Sequence, residues 1–101
     1  MAQLIWTEPA LAELDAIAEY IALDNPDAAS RLVRLILERI DQLKQFPQSG
    51  KRLPELPDSV YREILVIPCR IIYRINNDDV LLLHVTRSER LLQSYLLSER
   101  T

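Results

Sequence analysis

The chain has one cysteine, one glycine, one histidine and only two lysines among its 101 residues. A lone thiol, Cys69, excludes an intrachain disulfide and a paired Cys-x-x-Cys metal site, and it suits a reducing compartment better than an oxidising one. No long apolar run is present: Met1-Ala2-Gln3-Leu4-Ile5-Trp6 passes straight into Thr7-Glu8-Pro9, with neither the basic region of a signal peptide nor the length of a membrane span. The expected location is the cytoplasm, with no membrane partner. Excess positive charge is missing too. The net charge is −3, divided between a first half (residues 1–50) with four basic and eight acidic side chains and a second half with eight and seven. A protein that grips nucleic acid by its phosphates draws affinity from a basic field. Any such role here would rest on the arginines of the C-terminal half.

Apolar residues make up 49% and charged residues 27%, which is globular composition, and the length suits one domain spanning residues 1–101. Leu4-Ile5-Trp6 reads as a short strand. Thr7 is placed to N-cap a helix with Pro9 in its first turn, and Ala10, Leu14, Ile17, Ala18 and Ile21 then recur at helical spacing. Asn25-Pro26 restarts the pattern. A second helix carries the stripe Ala29, Leu32, Val33, Ile36, Leu37, Ile40 and Leu43 and stops near Phe46-Pro47. So short a connection predicts an antiparallel helical hairpin.

Residues 47–58 hold three prolines and the glycine, and read as a loop. Three β-rich runs follow, Val60–Ile67, Cys69–Asn76 and Val80–Arg87, the last two joined by Asn77-Asp78-Asp79, predicting an antiparallel meander. In the middle run Cys69, Ile71, Tyr73 and Ile75 fall on one face, expected as core, and Arg70, Ile72 and Arg74 on the other, expected to be partly charged. Residues 89–100 carry Leu91, Leu92, Tyr95 and Leu96 at helical spacing and read as a short helix or an extended arm. The fold class is therefore α+β: an N-terminal strand, an antiparallel two-helix hairpin, a three-stranded antiparallel meander and a short C-terminal helix or arm.

That plan names no function by itself. Particular residues carry more. Trp6-Thr7-Glu8-Pro9-Ala10, Tyr20-Ile21 and Asn25-Pro26 with Ala28-Ala29 precede Phe46-Pro47-Gln48-Ser49-Gly50-Lys51-Arg52, Glu55-Leu56, Tyr61-Arg62-Glu63 and Arg70-Ile71-Ile72-Tyr73-Arg74. In this order and spacing, from Ile5 to about Arg90, the chain resembles the ParE branch of the RelE/ParE toxins. One position departs: Thr86 stands where many relatives have a histidine after the last strand. The resemblance implies a type II toxin held inactive by a cognate antitoxin. In the ParE branch it implies DNA gyrase as the target and no enzymatic reaction. In the RelE branch it implies a metal-independent nuclease that cuts mRNA on the ribosome. A relative that has lost toxicity and only binds antitoxin is a third reading. None of the three calls for a cofactor or a metal.

Metal-free RNA cleavage needs a group to activate the 2′-hydroxyl, cations for the phosphorane and an acid for the leaving oxygen. The parts are few. His84 sits inside an apolar strand and reads as a core histidine; Tyr95 reads either as an acid or stacking group, or as helix packing. No catalytic residue is assigned; the nuclease alternative would use Arg62, Arg70, Arg87 and Tyr95. As surfaces for a target or an antitoxin, Arg52, Arg62, Arg70, Arg74, Arg87 and Arg90 are the candidates, because guanidinium forks clamp carboxylates and phosphates. Arg62 and Arg70 have a plainer reading as cross-strand partners of Glu63 or other acids. Lys51 and Arg52 could equally be solvated loop charge. Tyr20 and Leu35 are candidate exposed groove residues. With so little lysine and a negative net charge, the balance favours a protein target, reached by guanidinium groups held outward on the sheet.

Overall fold

A computed structural model of the chain describes residues 2–87. Its elements run β1 (Leu4–Trp6), α1 (Glu8–Ala22), α2 (Pro26–Asp41), a 3-10 turn (Gln42–Lys44), β2 (Lys51–Arg52), β3 (Arg62–Val66), β4 (Cys69–Asn76) and β5 (Asp79–Arg87). The strands form one five-stranded sheet in the order β1-β5-β4-β3-β2. The predicted meander is present as β3-β4-β5, but the sheet is larger and mixed. β1 joins it parallel to β5, with Leu4 opposite Val80 and Trp6 opposite Leu82. Lys51-Arg52, expected as loop, pairs antiparallel with β3, Lys51 opposite Glu63 and Arg52 opposite Arg62. Two residues carry no period a sequence pattern can detect. The expected helix or arm over residues 89–100 lies outside the described residues.

Thr7 starts α1 and also fastens it. Its hydroxyl oxygen accepts from the Ala10 amide at 3.3 Å and donates to the Leu82 carbonyl at 2.8 Å, so the helix cap is simultaneously a tie to β5. Asn25 caps α2 through the Ala28 amide, with Pro26 at the first helical position. α2 gives way to the 3-10 turn after Asp41, somewhat before the expected stop. Of its predicted apolar stripe, Ala29, Ile36, Ile40 and Leu43 are buried, whereas Leu37 remains 47% exposed.

The helices cover one face of the sheet. Ala10, Leu14, Ile36, Ile40 and Leu43 pack there on Ile64, Val66, Ile71, Tyr73, Val80, Leu82 and Val85. Contrary to the expectation of one buried face, β4 is buried on both. On the outer face Leu53, Tyr61, Ile72 and Leu83 form a second cluster with Leu56 and Leu81, because the segment after β2 folds back over the strands. A bulge sharpens the division. Ile72 pairs with His84 and Tyr73 with Leu82, leaving Leu83 as the extra residue of β5; it packs outward while His84 meets α1. This explains the near-continuous apolar run Val80-Leu81-Leu82-Leu83.

Candidate interaction site on the outer face and the β2 edge

β4 carries Arg70 at the centre of the outer face, opposite Leu65 on β3 and Thr86 on β5. It does not point outward. Only 5% exposed, its Nε donates to Glu63 Oε1 at 2.7 Å, while Nη1 and Nη2 donate to the two Glu55 oxygens at 2.7 and 2.8 Å. Glu63 lies diagonally across the β3–β4 pair, and Glu55 arrives from the segment that covers the outer face. The hydrogen bond to Glu55 is the largest influence on Arg70 and, with Glu63 and against the cost of burial, pushes its pKa up, so the guanidinium is a permanent cation. Glu63 Oε2 also faces Lys51 Nζ at 3.6 Å. The short contacts of the two carboxylates are with Arg70, and the Lys51 side chain stays 61% exposed.

A second network organises the approach to β2. The Tyr73 hydroxyl, buried on the helix-covered face, donates to the Pro47 carbonyl at 2.7 Å and accepts from the Gly50 amide at 2.9 Å. Arg62 Nη1 donates to the Gly50 carbonyl at 2.8 Å and the Gln48 carbonyl at 3.2 Å. Burial pushes the Tyr73 pKa up, outweighing the opposing effects of the Gly50 amide and the Arg62 charge, so the phenol keeps the proton it donates. Gly50 has to be glycine: a Cβ there would lie 2.6 Å from Tyr73 Cε1 and 2.8 Å from the Glu63 carbonyl.

The remaining candidates separate by exposure. Arg52 is exposed, with Nη1 donating to the Ser59 carbonyl at 2.7 Å. Arg74 is half-buried, and its Nε is buried without a hydrogen-bond partner. Arg87 is exposed at the end of β5. Arg90 and Tyr95 lie outside the described residues. His84 is fully buried, as expected from its strand, with Nδ1 3.3 Å from Glu13 Oε2; the other Glu13 oxygen accepts from the Val85 amide. Tyr20 and Leu35 are exposed, at 71% and 48%.

The expectation of outward guanidinium groups thus fails for Arg70, and Arg62 is turned to the backbone of the 48–50 segment. Burying an unpaired charge is prohibitive, so an arginine in mid-sheet must bring its own acids. Glu63 was legible as a cross-strand partner because it and Arg70 lie on neighbouring predicted strands. Glu55 was not, because nothing local says that the proline-rich segment returns to β4. Among the described residues no three of His, Cys, Asp and Glu cluster as metal ligands, and no helix is long and apolar enough to cross a membrane.

Residues 4–92 match the family described as the ParE toxin of the type II toxin-antitoxin system parDE. The toxin RelE2 of Caulobacter vibrioides is 38% identical over 72 residues, which are 71% of this chain and 77% of that protein. Among solved structures, the chromosomal ParDE toxin-antitoxin system from P. aeruginosa superposes with a TM-score of 0.73 at 31% identity, over 88% of this chain and 98% of its counterpart. The E. coli toxin RelE, a mutant in the free state, shares the fold at 21% identity with a TM-score of 0.55, over 98% and 94% of the two chains.

Proposed function

Because the chain belongs to the ParE toxin family of type II toxin-antitoxin systems, we propose that it poisons DNA gyrase in the cytoplasm by binding it as a protein, and that a cognate antitoxin neutralises it by covering the same surface. One observation carries the choice of a binding mechanism over RNA cleavage. Arg70, at the centre of the outer face, has its donors committed to Glu55 and Glu63 at 2.7–2.8 Å. A nuclease needs cations converging on a phosphate and a group to move protons beside them. Here the central cation is neutralised in place, Arg62 is engaged by backbone carbonyls, and the sole histidine is buried against Glu13. Thr86, across from Arg70, adds no group that titrates near neutrality.

The exposed Arg52 and Arg87, the half-buried Arg74, and Arg90 beyond the described residues are the proposed contacts to gyrase or antitoxin. Arg62 and Arg70 serve the fold that presents them. An antitoxin segment rich in carboxylates would be recognised by guanidinium forks, with apolar side chains supplying the buried area.

Purified protein added to DNA gyrase is expected to block supercoiling and trap cleaved DNA. Primer extension on translated mRNA is expected to show no new ends. Cuts at ribosomal A-site codons, with gyrase unaffected, would overturn the proposal in favour of the nuclease; antitoxin binding with neither activity would favour a relative that has lost toxicity.

A further inference from the structure

The two-residue strand β2 is the shortest element of the sheet and lies at its edge, yet it is held from several sides. Its Lys51 faces the carboxylate of Glu63, its Arg52 donates to the Ser59 carbonyl, and the residue before it, Gly50, is gripped through both its amide and its carbonyl by Tyr73 and Arg62. An edge strand that merely terminates a sheet needs none of this. Lysine at an edge discourages unwanted pairing whatever its conformation, and a solvated cation gains nothing from being fixed. Fixing costs side-chain and backbone entropy, which returns only if the fixed geometry is used.

Tyr73 is the unusual partner. A buried aromatic packs as well without a hydroxyl, so phenylalanine would serve the core equally. The hydroxyl instead reaches the loop, where it closes the Pro47–Gly50 turn by donating to one end and accepting from the other. Arg62 adds a charged donor to the same turn, at the Gln48 and Gly50 carbonyls. Arg62 lies across from Arg52 but turns its guanidinium to the Gln48 and Gly50 carbonyls, and Tyr73 is buried, so both act through the backbone that leads to β2.

We infer that Tyr73 and Arg62 are positioning residues, which lock the Pro47–Gly50 turn so that Lys51 and Arg52 form a preorganised cationic edge for carboxylates of the protein target. The inference rests on the reading of this chain as a protein-binding toxin. It locates part of the target-binding surface at β2, and it assigns the hydroxyl of Tyr73 a role that packing does not require.

The test compares Tyr73→Phe, Arg62→Met, the pair Lys51→Ala with Arg52→Ala, and each positioning change combined with that pair. Three quantities are measured for each variant: growth arrest on induction in cells, inhibition of purified gyrase, and amide exchange at Gly50 with the thermal midpoint alongside. Tyr73→Phe and Arg62→Met are each expected to speed Gly50 exchange and to weaken inhibition about tenfold, the effect of about one charge-assisted contact. Once Lys51 and Arg52 are alanine, neither should weaken it further. Inhibition unchanged despite faster Gly50 exchange would overturn the inference, as would losses that add in full to those of the alanine pair, since they would then come from the fold at large. Should Tyr73→Phe fail to fold, Arg62→Met, at a partly buried position, carries the comparison. Wild-type growth arrest without gyrase inhibition would sink the gyrase target and leave the inference to be read from growth arrest alone. A wild type that arrests nothing overturns both.

Discussion

Arg70 and Glu55, fifteen positions apart, are joined across the outer face of the sheet by two parallel hydrogen bonds of 2.7 and 2.8 Å. The pair fastens the segment carrying Leu53 and Leu56 over Ile72 and Leu83, so one ion pair closes the second apolar cluster. Glu63, buried like Arg70, accepts from its Nε.

Removing Arg70 should therefore damage the fold before it damages any contact. Arg70→Ala leaves Glu63 buried without its closest cation, and breaking such a pair costs about 3–5 kcal/mol. Urea denaturation is expected to register a loss of that order. A variant as stable as the parent would show that the network contributes nothing and that Arg70 is available to a partner after all.

Arg74, four residues along the same strand, should behave in the opposite way. Its Nε is buried with no hydrogen-bond partner, so replacing the guanidinium by an apolar chain removes an unsatisfied group. Arg74→Met is expected to leave stability unchanged or to raise it by about 1 kcal/mol, while the proposed inhibition of gyrase falls with loss of the guanidinium contact. A clear drop in the thermal midpoint would contradict this account of the side chain.

Alkaline pH should single out Tyr73. Burial raises its pKa above the ordinary value of 10.0, which the unfolded chain regains. The stability linked to this phenol is thus complete below pH 10 and declines as the pH climbs toward the raised value. Ultraviolet titration of the tyrosines is expected to include a component that ionises late or only on unfolding, and Tyr73→Phe should abolish that component. Four tyrosines ionising together in the folded protein would refute it.

Much of the helical layer was legible in the chain. Thr7 with Pro9 and Asn25 with Pro26 are local signals, since a cap and a preset φ act within four residues, and both helices start where those residues place them. His84 could be read as buried because its neighbours on both sides are apolar. The strand of Lys51 and Arg52 could not be found, because two exposed residues acquire their conformation only from β3 beside them. The roles of the arginines were legible only as alternatives: alternation placed Arg70 and Arg74 on one face, but not which of them would be covered.

The sequence alone determined both helices, the strands other than β2, their order and the family resemblance, because capping, periodicity and turn chemistry depend on neighbours a few bonds away. Only the tertiary structure decided which cations face solvent. That choice hangs on the return of Glu55 to Arg70 and of Gly50 to Tyr73, contacts across 15 and 23 positions. A charge buried by a distant segment is tolerated only where that segment brings the opposite charge with it.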